Sequence, residues 1–443
     1  MIKQVTTSLY QQFIADFELQ SLQAAAIEPA SLLALREKAF EQFKIMGFPS
    51  NKVEDWKYVN LQPFLKEGFG LAEGEETMES ETEAIAKSAI PKLDAYRLVL
   101  INGRYREDLS DTIPDNNVII SPIGGATRFA GFEEHFGKYV SITQHHFAAL
   151  NTAFFKEGLF IEITAKTTVD KPIHVVQVVT AGNPLFLQPR HLVVVGAGAT
   201  VSIVESFVTA DATAPVFINS VQEVVLMQGA HMQHCYIQTG NTNSNYVQHT
   251  QVEQKANSVY DNFKASFPGS SLLRNNLVIA LNGRHIESHL NGLYLAGGRQ
   301  LVDNHTTVDH LQPQCESNEL YKGVIKDEAV AVFNGKIFVR KDAQKTNAFQ
   351  KNNNLMLSTR GTVDSKPQLE IYADDVKCSH GSTIGQFDED ALFYLKARGI
   401  GDEKAKALLV HAFAFDVTQK LTLPAVQAHI NKLIEKGLAD QHR

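Results

Sequence analysis

Hydrophobic positions change their period twice along this chain. From about Ser8 to Gly47 they recur at spacings of three and four, and Leu32, Leu35, Ala39, Phe43 and Met46 fall on one helix face. Pro29 suits a first helical position and Gly47 a C-terminal cap. The acidic run from Glu73 to Lys87 predicts a solvated connector or an exposed helix. From about Tyr96 to Thr383 the pattern becomes one of short strands, among them His191–Val195, Thr200–Val204, Glu223–Met227 and Val330–Val339. Turn residues punctuate them at Gly196-Ala197-Gly198, Gly229, Asn282-Gly283, Gly297-Gly298, Asn334-Gly335 and Arg360-Gly361.

No long amphipathic helix interrupts this region, which argues against a βαβ sheet and for a sandwich, a barrel or a β-helix. The strands have uneven connections and no fixed repeat period. A β-helix tolerates that, because each coil need only stack on its neighbours; a sandwich is its rival. After about Gln386 the pattern returns to helix. Asp388 can cap a segment ending at Gly399, and Asp402 the next, with Ala405, Leu408, Leu409, Ala412 and Phe413 along one face. Pro424 opens a third, with Val426, Ile430, Leu433 and Ile434 on one stripe and Gly437 closing it. The expected organisation is a helical region over 1–95, a mainly β core over 96–385 and a helical region over 386–443. The apolar surface of the last three helices predicts either a partner's docking site or packing onto the β region.

Composition narrows the function. The 443 residues carry a formal charge of 41 − 49 = −8, and an acidic balance argues against a nucleic-acid partner, which needs clustered positive charge. The first residues lack a basic segment followed by an apolar run, and no stretch approaches the roughly 18 apolar residues of a membrane span. Cys235, Cys315 and Cys378 are odd in number and far apart, which suits a reducing compartment and predicts a cytoplasmic protein.

Little self-contained chemistry is visible. No P-loop occurs, and Asn334-Gly335-Lys336 reads as a hairpin-like turn, so nucleotide hydrolysis is not expected here. The glycine clusters at Gly196 and Gly297 open no helix, against dinucleotide binding. On a strand, His285, Glu287 and His289 would share one face and could form a ligand row; a polar, solvent-facing surface is the plainer reading. His231, His234 and Cys235, and His305, Asp309, His310 and Cys315, offer ligands without C-x-x-C spacing, and three thiols are too few for an all-cysteine cluster. Cys378 and His380, two apart on an extended segment, could both reach one metal, with Lys377 favouring the thiolate. A catalytic Cys–His pair and a half-buried Cys beside a surface His are the alternatives.

At these residues the chain resembles the SufB/SufD family of iron–sulfur cluster assembly proteins, on its SufD side. The run Lys366-Pro367-Gln368-Leu369-Glu370-Ile371-Tyr372-Ala373-Asp374-Asp375-Val376-Lys377-Cys378-Ser379-His380-Gly381 is similar to that family's C-terminal signature. Leu392–Leu395, Arg398-Gly399-Ile400, Asn334–Ile337, Ala343–Thr346, Asn353–Leu355 and Glu54-Asp55-Trp56-Lys57-Tyr58 extend the likeness. SufB-like chains place a functional Cys where this one reads Lys351-Asn352-Asn353-Asn354, which favours the SufD side. The resemblance implies a right-handed parallel β-helix flanked by N-terminal and C-terminal α-helical domains, serving as a non-catalytic scaffold. It implies pairing with SufB through the β-helix, or a homodimer in isolation. It also implies docking of the SufC ATPase by the C-terminal helices, at Phe393, Leu408, Leu409, Ala412 and Phe413. His380 and Cys378 would contribute to an iron or nascent-cluster site shared with SufB, fed by a cysteine desulfurase and a sulfur-transfer protein. Reduced flavin is associated with such complexes, and no local motif for it is visible. A stand-alone β-helix enzyme and a Cys–His thiol enzyme are the rival readings.

Overall fold

The computed structural model describes residues 8–24, 28–66, 68–71, 78–209 and 214–439; the stretches 1–7 and 73–77 lie outside the described residues. From Leu159 to Gly385 most strands pair in parallel with the strand two ahead in the chain, so successive strands fall alternately into two sheets. Register links His231, Val259, Glu287, Glu316, Asn347 and Lys377 as equivalent positions. The differences give coils of 28, 28, 29, 31 and 30 residues. This is a parallel β-helix. A sandwich, built from antiparallel sheets, is ruled out. Coil lengths drift because the corners vary while the strands stay in step, which is why no fixed period shows.

Inward positions alternate with outward ones, and Val201, Ile203, Met232, Leu273, Ile279, Val302, Phe333 and Ile337 stack along the lumen. The N-terminal end of the solenoid is closed. There Val118–Pro122 pairs antiparallel with Leu159–Ile163, and Tyr96–Ile101 with Arg104–Tyr105. Helices Ser8–Ala24 and Ala30–Met46 lay Phe13, Phe17, Phe40 and Phe43 against Phe154 and Phe186. Within the region expected to be strands, Ala130–His135 and His146–Phe154 are helical. The second is buried on every side from Phe147 to Phe154, so it has no polar face to mark it as a helix.

The C-terminal helices are Glu389–Ala397, Asp402–Thr418 and Pro424–Ala439. Val410, Ala414, Val417, Val426, Ile430 and Ile434 pack on Cys235, Ile237, Phe263, Leu293 and Leu295 of the second sheet. Asp388 caps the first of them through Asp390 N and Ala391 N, as expected. Three local expectations need correction. Asp402 is the first helical residue, not a cap, and its carboxylate pairs with Lys396 and Lys406. Gly437 does not close its helix; a Cβ there would lie 2.4 Å from Leu295 Cδ2, so the glycine permits close packing. Asn334-Gly335 is no turn but lies inside the strand Val330–Val339, where the missing Cβ leaves room for the Gln350 side chain. Among the described residues, no helix is long and apolar enough to cross a membrane.

Candidate functional site

The two ends of the solenoid differ. In one sheet the last strand is Thr362–Ile371, in the other Lys377–Gly385, and neither has a partner on its far side among the described residues. Preceding strands are largely buried, whereas these two are mostly half-buried or exposed. Ile371, Tyr372 and Ile384 are exposed here, with Phe349 one coil below. An unprotected edge of this length, carrying apolar side chains, is a template for pairing with another β-structure.

Cys378 and His380 stand on this last strand, in register with Ala348 and Gln350. Ala348 belongs to the lumen core and Cys378 packs against it, so Cys378, His380 and Ser382 share the inward face at the open mouth. The shared face of Cys378 and His380 was expected. The expected thiolate is not favoured: burial pushes the Cys378 thiol up, and Lys377 lies on the opposite, outward face. His380 itself is exposed.

Below the mouth the lumen is polar. Gln350 Nε2 donates to Glu319 Oε2 at 2.7 Å, and burial pushes the Glu319 carboxyl up to about 7. Asn352 donates to the Tyr294 hydroxyl, which donates to Asn354 Oδ1. Ser365 donates to Asn352 Oδ1 and accepts from Ser382, which joins the two terminal strands across the mouth. Deeper in, Glu205 accepts from Gln177, Gln222 and His234. The signal that could have found these residues is the same alternation that marks the strands, with Gln and Asn standing where Val and Ile are usual.

The other candidates do not converge on a metal. Among the described residues no group of three His, Cys, Asp or Glu side chains is placed to hold one. His285 sits in a corner with φ 57°, outside the strand Glu287–Ala296, so the row with Glu287 and His289 does not form. His289 instead bonds Asp261, which also bonds His231, on the outer face beside a cavity of about 730 Å³. His305 contacts Asp303, and the buried His310 contacts Ser317. Asp309 pairs with Arg340. Cys235 is buried under the C-terminal helices, and Cys315 lies in the lumen core and donates to the Gly283 carbonyl. Lys336 pairs with Asp55 and is not part of a phosphate cradle.

The segment Glu54–Tyr58 lies against the outer face of the first sheet. Arg274 donates to the Asp55 carbonyl and stacks 4.0 Å over Trp56, and Glu54 reaches Lys366 on the terminal strand. On the C-terminal helices, Phe393 is 73% exposed, and Leu408, Ala412, Tyr394 and Phe415 are also exposed. Leu409 is half-buried, and Phe413 is half-buried against the sheet, its carbonyl bonded by Lys322. Apolar packing onto the β region therefore occurs, through a helix face displaced from the expected stripe, and apolar surface is left over.

Comparisons with known proteins bear on this arrangement. A family model described as SUF system FeS cluster assembly, SufBD core domain, matches residues 178–413, and one for the SufBD protein N-terminal region matches residues 7–175. An iron–sulfur cluster assembly SufBD family protein of Synechocystis is 32% identical over 95% of this chain and 95% of its own length. The iron–sulfur cluster assembly protein SufD of Escherichia coli is 31% identical over 87% of this chain and 88% of its own. SufD of Bacillus subtilis is 26% identical over 94% and 96%.

Proposed function

The chain belongs to the SufBD family of the SUF iron–sulfur cluster assembly system, and from that membership we propose that it is a SufD-like, non-catalytic scaffold subunit working in the cytoplasm. Its open coil at 362–385 pairs edge to edge with the β-helix of SufB, and iron or a nascent cluster, as cargo, is held at that seam. The observation that carries this reading is the asymmetry of the solenoid: one end is capped, and the other leaves two strand edges and the inward face of His380 and Cys378 uncovered. His380 is the stronger ligand candidate. It is exposed at the mouth, whereas burial disfavours the thiolate form of Cys378 that a metal requires. Two side chains make at most half of a site, so the remaining ligands come from the partner. The exposed Phe393, Tyr394, Leu408 and Phe415 support docking of the SufC ATPase on the C-terminal helices, which supplies the nucleotide hydrolysis this chain gives no motif for.

The decisive experiment is His380→Ala in the intact complex, scoring iron content and cluster formation separately. The reading expects both to fall. Normal values for both would remove the ligand role while leaving the scaffold role standing.

A further inference from the structure

One buried side chain below the mouth has an unused hydrogen-bonding atom. Register stacks His380 on Gln350 and Gln350 on Glu319, all facing the lumen. Gln350 is 1% exposed. Its Nε2 is committed downward, to Glu319 Oε2 at 2.7 Å, while its Oε1 is buried without a partner. Across the lumen Gly335 makes room for the amide, since a Cβ there would lie 2.1 Å from Gln350 Nε2. The amide is thus confined by a carboxylate below and a backbone beside it.

Which end of an amide points where is decided by its partners. Glu319 accepts, so it takes the NH2 end, and the carbonyl end is left for whatever lies above. The residue above is His380, one strand spacing away, about 4.8 Å. A neutral imidazole has one N–H to give and one lone pair to keep. Inward-facing amides of the same strand do bond side chains of other coils: Asn352 donates to the Tyr294 hydroxyl, and Asn354 Oδ1 accepts from it.

We propose that Gln350 is a positioning residue for His380: its Oε1 accepts the imidazole N–H when the ring turns into the lumen, fixing the tautomer and leaving the other ring nitrogen as a free lone pair at the mouth. Glu319 sets the polarity of this relay by holding the amide nitrogen. Histidines that bind metals commonly give their second N–H to such a partner, which orients the ring and raises its basicity. The purpose assigned to the bond rests on the cargo-holding role proposed for His380; the bond itself is a property of this chain.

The test uses the full chain with 15N-labelled histidine and long-range proton–nitrogen spectra at mildly alkaline pH. The His380 signals are assigned by their loss in His380→Ala. In the unsubstituted chain one tautomer should dominate by a margin about five- to tenfold greater than in a free imidazole, the worth of one net hydrogen bond. Gln350→Met, which keeps the length and removes the acceptor, should return His380 to the free-imidazole mixture. Glu319→Gln, nearly isosteric, lets the Gln350 amide turn over and should shift the tautomer ratio towards the opposite form. It serves as the readout should Gln350→Met fail to fold. Unchanged His380 nitrogen shifts in either folded variant would overturn the proposal, and would leave the iron measurement on His380→Ala unaffected. Normal iron content in that variant would in turn leave the tautomer result standing.

Discussion

Trp56 is the only tryptophan in the chain, and Arg274 holds it against the β-helix. That makes Arg274→Met a sharp perturbation: it keeps an apolar stem and removes the guanidinium. Four contacts go at once, namely the stacking over Trp56, the bond to the Asp55 carbonyl at 2.7 Å, the bond to Asn276 Oδ1 at 3.1 Å, and the ion pair with Asp303, in which both side chains are almost fully buried. Removing one partner of a buried pair costs about 3–5 kcal/mol, because the other charge stays behind. The cation–π contact adds up to about 2 kcal/mol when desolvated. Asp303 keeps His305 Nε2 at 3.0 Å, which offsets part of the loss. A net cost near 3 kcal/mol would lower hydrogen-exchange protection of residues 53–58 roughly a hundredfold. Trp56 emission should shift as the ring meets water, while far-UV circular dichroism stays that of the folded β-helix. The effect should also depend on pH in a stated sense. Burial pushes the Asp303 carboxyl up, yet Arg274 and His305 hold it below the usual range. In the unsubstituted chain that stability is present above about pH 3.9 and is lost as pH falls through the depressed folded value. Without Arg274 the carboxyl rises instead, so the deficit should be largest at neutral pH and shrink towards pH 4. Protection within tenfold of the unsubstituted chain, with unchanged emission, would show that the Glu54–Tyr58 segment is held by something else.

Glu223 accepts from Arg190 and from the backbone N–H groups of Gly137, Tyr139 and Val140, so Glu223→Ala should cost about 3–5 kcal/mol in urea unfolding. A loss under about 1 kcal/mol would contradict that accounting. The bond to Asp261 raises the His289 pKa, a contribution present below about pH 6.5 and lost as pH rises through the folded value. Asp261→Asn should therefore lower the His289 midpoint in a proton NMR titration, and an unmoved midpoint would count against the pairing. Phe393 and Leu408 are exposed, so Phe393→Asp with Leu408→Asp should leave unfolding of the isolated chain within about 0.5 kcal/mol and, on the proposed docking, abolish co-purification with a SufC ATPase. Retained co-purification would place the docking surface elsewhere.

The β core was readable because alternation of period two survives whatever the corners do. Its coiling was harder to see. Register positions such as Glu287, Glu316 and Asn347 recur at 29 and then 31 residues, and a repeat search needs a constant step. Helix 146–154 was invisible for the opposite reason: burial on every side erases the polar face that defines amphipathic period. Asn334-Gly335 misled because turn chemistry and close packing ask for the same residue. Glycine there serves Gln350 across the lumen, not a reversal of the chain.

The candidate site shows where such reading runs out. That Cys378 and His380 share a face follows from their spacing alone. Whether that face looks inward or outward depends on pairing with Ala348 and Gln350, thirty residues earlier, which only the register supplies. The direction decides the chemistry. Turned outward, Cys378 would face water and its thiol would escape the penalty of burial; turned inward, it is half-buried and its thiol pKa is raised. The same turn brings His380 over Gln350 and Glu319, polar groups that a local view of Lys377–Gly385 does not contain. A solenoid thus assembles its site along the axis, one residue from each coil. Neighbours in the site lie about thirty positions apart in the chain, and a motif read along the sequence sees only the topmost layer.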